Sequence, residues 1–222
     1  MALLQFDEDA LNKLENNMYV KSVMEESRKR ARANSEVFTV NETVIEFYGK
    51  RRPTDTHGKW FSNCVRSPIN IGGVVYNSSE HFYQMYKFVI PHDDPLQIRW
   101  CEQNKVSIDD QMAKNNIIRE RMAIMGYTEV ASFGRNYRDS PVRGDWEKIK
   151  KAVMWTGIVH KFEQNLDFSE ILLYPLGGTD CTETVLIERA PTDKVWAIDD
   201  NGVGTNWLGL QLMMVRKKLF DV

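Results

Sequence analysis

The chain has 222 residues, enough for one well-buried domain, and its 29 Lys and Arg against 31 Asp and Glu leave a net charge of −2. There is therefore no general attraction to a polyanion, and any nucleic-acid contact has to be local. Cys64, Cys101 and Cys181 are odd in number and widely spaced, which fits reduced thiols rather than a disulfide framework or a zinc site. No cationic head with an apolar core opens the chain and no stretch nears membrane-spanning length, so the expected compartment is the cytosol or nucleus.

Residues 1–42 stand apart, rich in charge and free of Gly and Pro, with a helix-like pattern through Ala10, Leu11, Leu14, Met18, Val23 and Met24. A helical extension is expected here, ahead of a domain spanning 43–222. It contains the basic run Arg28-Lys29-Arg30-Ala31-Arg32, a candidate phosphate contact or nuclear address whose plainer reading is a solvated helix end. Thr43 to Tyr48 alternates like a strand. Residues 49–60 read as a loop rich in Arg, Pro, Thr and Gly. The segment Ile69 to Val75 is apolar and is broken by Gly72-Gly73, which marks a hairpin turn.

Helices are expected next over Asp94 to Gln103, Ser107 to Ile124 and Asp145 to Gln164. Ser107 and Asp110 make a start like a capping box. Val185 to Glu188 reads as a late strand, and Asn206 opens a closing helix with the apolar stripe Leu208, Leu212, Val215 and Leu219. The sum is a helix-rich α+β domain with a few short strands. It has no internal repeat and no Rossmann or P-loop glycine pattern.

Chemistry concentrates in Ser79-Glu80-His81-Phe82-Tyr83-Gln84-Met85-Tyr86-Lys87-Phe88. Glu80, Gln84 and Lys87 fall at i, i+4 and i+7 on one stripe of a helix N-capped by Ser78 or Ser79. Phe82, Met85, Tyr86 and Val89 occupy a core-facing side. Solvated surface charge is the usual fate of Glu and Lys, but the tyrosines and histidine around them suit a ligand pocket. On position alone both readings stand.

Further motifs recur around this segment. They are Trp60-Phe61-Ser62-Asn63, Gly134-Arg135, Asp145-Trp146-x-x-Ile149-Lys150, Val153-Met154 and Lys161 to Asn165. The C-terminal part adds Glu188, Asp193-x-x-Trp196, Gly204-x-Asn206-x-Leu208-Gly209 and Leu212-Met213-x-Val215-Arg216. In this order they resemble the NADAR (YbiA-like) family over about residues 44 to 220. The resemblance implies an N-glycosidase. Some family members cleave phosphorylated ribosylamino intermediates of riboflavin synthesis, and others remove ADP-ribose from guanine in nucleic acid.

Carried onto this sequence, the resemblance implies Glu80, Lys87 and Asp193 as catalytic groups. It implies substrate contacts from Phe61, Ser62, Asn63, Tyr83, Gln84, Arg135, Trp146, Trp196 and Asn206. The indoles offer faces for stacking, Arg135 a forked donor for phosphate, and Asn206 with Gly204 a backbone nest. Each has a plain alternative: a core tryptophan, a turn-capping Asp193, a helix-capping Asn206. Where the family tends to have Trp-Gly-x-Gly, this chain has Trp196-Ala197-Ile198-Asp199-Asp200-Asn201-Gly202, so the loop is expected to differ in shape. Asp199 and Asp200 adjoin but lack a matching ligand set, so neither metal nor cofactor is expected.

The expected reaction is metal-independent hydrolysis of an N-glycosidic bond on an ADP-ribose-containing ligand, foremost ADP-ribosylated guanine in DNA or nucleotides. Lys87 is expected to act as nucleophile through an imine, with Glu80 moving the proton; the competing role for Lys87 is a fixed cation against phosphate. Ribosylamino-pyrimidine phosphates are the alternative substrate. A non-catalytic ADP-ribose or NAD reader is the alternative class.

Overall fold

The computed structural model describes residues 2–33, 39–48, 56–177 and 182–221. In chain order its elements are α1 (Glu8–Asn16), α2 (Met18–Arg32), β1 (Val44–Phe47), α3 (Thr56–Phe61), β2 (Ile69–Ile71), β3 (Val74–Tyr76), α4 (Ser79–Tyr86), α5 (Pro95–Asn104), α6 (Ile108–Ala123), α7 (Tyr127–Asn136), α8 (Trp146–Gln164), α9 (Leu166–Leu173), β4 (Val185–Glu188) and α10 (Trp207–Phe220). This is the helix-rich α+β fold the sequence points to. Contacts divide it into two units, residues 1–6 with 66–161 and residues 7–65 with 162–222.

In the first unit β2 and β3 form an antiparallel hairpin, Ile69 facing Tyr76. Its turn is Gly72-Gly73, with φ of 61° and 83°, values that exclude most side chains. The hairpin delivers the chain to Ser78, whose hydroxyl accepts from the His81 amide and starts α4. α4 packs against α6, α7 and β3, and every residue from Ser79 to Tyr86 is buried. The expected two-sided helix, with one face held and one face open, is therefore enclosed all round. Phe82 is central, its ring 5.1 Å from Tyr76 and 5.4 Å from Tyr86.

α5 and α6 start at Asp94 and Ser107, as expected, each side chain accepting from backbone amides of its first turn. A buried amide chain joins them: Asn115 donates to Gln97, and Gln111 donates to Asn115 and to Ser140. This carries the loop after α7 on the same framework. Residues 2–6 run along α8, with the Leu4 amide donating to Thr156 and the Trp155 indole to the Gln5 carbonyl.

In the second unit β1 and β4 pair in parallel, Val44 with Val185 through Phe47 with Glu188. All eight residues are buried, which corrects the alternating strand expected at 43–48. Helices explain the difference, since α2 and α10 cover β4 and α3 lies on β1, as parallel strands require. The loop expected over 49–60 is helical from Thr56, as α3; its earlier part lies outside the described residues. α7 and α9 were not expected at all. α9 follows α8 after the single residue Asn165, so its sequence reads as the tail of the longer helix.

The N-terminal helices form, α1 against α10 and α2 against β4. Arg30 donates to Glu46 of β1 at 2.8 Å, and Glu46 is fully buried. Glu46 also accepts from the Thr39 amide and has Arg189 at 3.8 Å. Arg28 donates to the Gly204 carbonyl, Lys29 pairs with Glu26, and Arg32 with Glu25. The basic run is thus the end of α2, as its plainer reading had it, with Lys29 and Arg32 exposed and Arg28 and Arg30 bonded within their own unit.

Replacing Arg30 with Met keeps the aliphatic stem and removes one charged donor from a buried carboxylate. We expect Arg30→Met to lower stability by about 1–3 kcal/mol, read as a reduced denaturant midpoint. An unchanged midpoint would mean that Arg189 and the Thr39 amide satisfy Glu46 alone.

Candidate active site

The first unit brings together Glu80, Tyr83, Gln84, Lys87 and Trp146. Lys87 is the C-cap of α4, one residue past the helix. Its amine donates to the Gly134 carbonyl of α7 at 3.1 Å. The same nitrogen lies 5.6 Å from the Tyr83 ring centre and 5.4 Å from that of Trp146, and the two rings meet edge to face at 4.9 Å.

An ammonium has three donors, and here one neutral carbonyl and two ring faces receive it. Burial pushes the Lys87 pKa down to about 8; Glu80 opposes the shift, Arg135 and Arg138 add to it, and Glu147 opposes it. Near neutral pH a usable fraction of Lys87 is a neutral amine with a free lone pair.

Glu80 is buried, and its Oε1 accepts from Gln84 Nε2 at 2.8 Å, one helical turn on. That bond fixes which way the Gln84 amide points, since its oxygen cannot face the carboxylate. Gln84 Oε1 is buried with no hydrogen-bond partner among the described residues. It rests on Gly134, where an added Cβ would lie 2.3 Å from Gln84 Oε1 and 2.9 Å from Gln84 Cβ. Glycine at 134 is therefore what lets α7 approach α4 closely enough for its carbonyl to reach Lys87.

Arg135 is exposed at the end of α7. Arg138 is exposed just beyond it and donates to the Arg135 and Tyr137 carbonyls. Sequence reasoning named Arg135 but missed Arg138, Gly134 as a hydrogen-bond partner, and Arg143. The signal for Arg143 was present as Arg143-x-Asp145 ahead of a helix. Its guanidinium grips Asp145 with Nε at 2.5 Å and Nη2 at 2.9 Å.

The remaining expected residues belong to the second unit. Phe61 is fully buried, its ring 5.4 Å from Phe47, and Ser62 is buried with its hydroxyl accepting from the Cys64 amide. Asn63 is half-buried beside them. Trp196 is half-buried with its ring 5.9 Å from Trp207. Asp193 accepts from the Val195 and Trp196 amides through one oxygen, the turn cap that was its plain alternative.

Asn206 departs further from the expected nest. It is fully buried at φ 58°, makes no helix-capping bond, and spends its amide on β4 by accepting from the Glu188 amide and donating to the Leu186 carbonyl. Asp199 caps the Asn201 and Val203 amides. No group of three or more His, Cys, Asp or Glu among the described residues is arranged to hold a metal ion. No described helix is long and apolar enough to cross a membrane.

The NADAR domain family matches residues 46–220. The chain belongs to the NADAR family. It is 29% identical over 180 residues to the N-glycosidase YbiA of Shigella flexneri serotype 5b, covering 81% of this chain and 91% of that one. It is 30% identical over 180 residues to a riboflavin biosynthesis protein of Vibrio vulnificus, covering 81% of this chain and 40% of that protein. The NMR structure of Escherichia coli YbiA superposes with a TM-score of 0.59 at 27% identity, over 86% of this chain and 93% of that one. The match to the NADAR domain starts at Glu46, the residue that Arg30 of α2 holds.

A methyl group at position 134 has to displace the Gln84 side chain and the carbonyl that Lys87 uses. We expect Gly134→Ala to cost about 1–3 kcal/mol by overpacking and to depress turnover more than its loss of melting temperature explains. Wild-type stability and turnover together would show that α7 has room to shift.

Proposed function

We propose that this NADAR protein is an N-glycosidase that removes ADP-ribose from guanine, in DNA or in nucleotides. The Lys87 amine carries the reading. It is buried between two aromatic rings, held by one neutral carbonyl, and sits on the helix that carries Glu80. A carbohydrate binder has no need of a partly neutral amine, whereas a glycosidase that works through an imine does. Relatives named N-glycosidases support the reaction class.

Transfer of a proton from Lys87 to Glu80 leaves a neutral amine and a carboxylic acid. The amine attacks the anomeric carbon, forming a C–N bond as the bond to the base breaks, and Glu80 protonates the departing base. The substituted ammonium returns a proton to Glu80, and the freed lone pair forms C=N as the ring C–O bond breaks and Glu80 protonates the ring oxygen. Water adds to the imine carbon and gives its proton to Glu80, which protonates the amine; the C–N bond breaks as the new hydroxyl becomes C=O and returns its proton to Glu80, leaving the free sugar and neutral Lys87. Aromatic rings at Tyr83 and Trp146 stabilise the cationic stages by their faces. Arg135 and Arg138, exposed and within electrostatic reach of Lys87, are suited to the phosphates of ADP-ribose.

A second reading keeps the chemistry and takes ribosylamino-pyrimidine phosphates as substrate, favoured by the similarity to a riboflavin biosynthesis protein. Incubation with ADP-ribosylated guanine oligonucleotide and with the ribosylamino intermediate, followed by sugar-phosphate release, separates the two. Release from the pyrimidine alone overturns the guanine reading. Release from neither, with ADP-ribose still bound, makes the protein a reader.

Residue tests address the mechanism. Glu80→Gln should lower turnover about 10²–10⁴-fold with ADP-ribose affinity kept. Trp146→Ala should weaken ligand binding in calorimetry while the protein stays folded, and the same measurement on Trp196→Ala tests the indole of the second unit.

Borohydride added during turnover should trap a reduced adduct on Lys87, seen by mass spectrometry. Lys87→Arg should bind ADP-ribose but turn over very poorly and give no adduct, because a guanidinium stays protonated. Substantial activity in Lys87→Arg leaves Lys87 as an electrostatic anchor and sinks the imine.

A further inference from the structure

We propose that Arg143 is a positioning residue that locks the Lys87 turn and Trp146 into one arrangement, and so keeps water away from the Lys87 amine. It touches no reacting atom. The proposal rests on reading Lys87 as the working amine of this site.

Lys87 and Trp146 come from segments far apart in sequence, the end of α4 and the start of α8, and one residue bonds to both. On the α4 side, the Arg143 amide donates to the Lys87 carbonyl at 3.1 Å, and its Nη1 donates to the Val89 carbonyl at 2.9 Å. On the α8 side, Nε and Nη2 form a two-point pair with Asp145, and the Arg143 carbonyl accepts from the Trp146 amide at 3.2 Å. The guanidinium also lies 5.0 Å over the Tyr86 ring, the residue before Lys87. Arg143 is 9% exposed.

Only a rigid fork can serve these partners at once. Lysine has the charge but presents a point, so it cannot hold the Val89 carbonyl and both Asp145 oxygens together. With the fork gone, the Lys87 turn and the start of α8 keep the backbone bonds of residue 143 and the ring contact of Tyr83 with Trp146. Trp146, whose ring stands 5.4 Å from the amine, is then held less firmly and can tilt to admit water.

Water at the amine is what a titration detects. The groups facing Lys87 are Glu80 and Tyr83 of α4, Arg135 and Arg138 at the end of α7, and Trp146 and Glu147 of α8, with the Arg143–Asp145 pair behind them. Arg143→Lys leaves every one of these charges in place. A change in Lys87 ionisation then reports altered solvation rather than a deleted charge.

The experiment measures Lys87 ionisation from the pH dependence of its acylation by a small amine-specific reagent, followed by peptide mass spectrometry, beside thermal unfolding. The wild type should titrate at about 8. Arg143→Lys should move upward by about one pH unit or more toward the ordinary lysine value, and the pH profile of kcat/KM should move with it. Unchanged Lys87 ionisation in folded Arg143→Lys, even with a lower melting temperature, overturns the proposal and leaves Arg143 as a simple clamp on the start of α8.

If Arg143→Lys fails to fold, Asp145→Glu carries the same readout. It keeps every charge and the Val89 bond but misplaces the two carboxylate oxygens of the pair, and it should move Lys87 upward by less than Arg143→Lys would; no movement there overturns the proposal too. Labelling needs no turnover, so an ionisation change with no glycosidase product would defeat the proposed function and not this inference.

Discussion

The constraint on which the first unit depends is an amine placed where water does not compensate its charge. Lys87 has one hydrogen-bond acceptor among the described residues, the Gly134 carbonyl, and two aromatic faces. Desolvation disfavours the ammonium by more than Glu80 returns, so the burial that lowers the Lys87 pKa also costs stability. Much of the surrounding structure reads as the means of holding it there. α4 is enclosed along its whole length, Gly134 lets α7 close on Gln84, and Arg143 ties the turn that bears Lys87 to the start of α8. Without these the lysine would extend into solvent, as lysines ordinarily do.

The second unit is organised around a buried charge of the other sign. Glu46 lies on a strand whose every residue is covered, and it is satisfied by Arg30, Arg189 and the Thr39 amide. Because Arg30 belongs to α2, the helix ahead of the NADAR match completes a polar site on the first residue of that match. The same helix reaches the loop that departs from the family pattern. Arg28 donates to Gly204, and an added Cβ at Gly202 would lie 2.5 Å from the Arg28 carbonyl. The shape of the Trp196 to Gly204 segment is thus set partly by residues that a reading of the family domain alone would discard.

How much of this was legible follows from where each signal resides. Caps are local, so Asp94 and Ser107 mark their helices correctly from the sequence, and of the two serines offered for α4 it is Ser78 that caps. The Gly72-Gly73 turn and the Val185 to Glu188 strand are equally local. The alternation at 43–48 misled because burial of a parallel strand depends on α2, α3 and α10, none of which the strand's own pattern describes. α7 was invisible for a related reason: Gly134 weakens it as a helix by propensity, yet is required by the packing against α4. At the site, the order of motifs gathered Glu80, Gln84 and Lys87, while the carbonyl that Lys87 uses lies 47 residues away and left no trace in the spacing.

Asn206 and Asp193 show how a motif residue can matter through the backbone that it holds. Asn206 uses both ends of its amide to hold the backbone of Leu186 and Glu188, so it fixes α10 to the end of β4. Asp193 gathers the amides of Val195 and Trp196 into a turn and so aims the Trp196 side chain. Both are polar residues whose partners are backbone atoms, Asn206 at the junction of β4 and α10 and Asp193 in the turn before Trp196. An apolar substitute of similar size at Asn206 would fill the space but leave the buried Glu188 amide without its acceptor, and one at Asp193 would do the same to the half-buried Val195 and Trp196 amides. Asp193, close to Trp196, and Asn206, beside Trp207, therefore carry as much information about how the chain is held at each indole as about chemistry on a substrate.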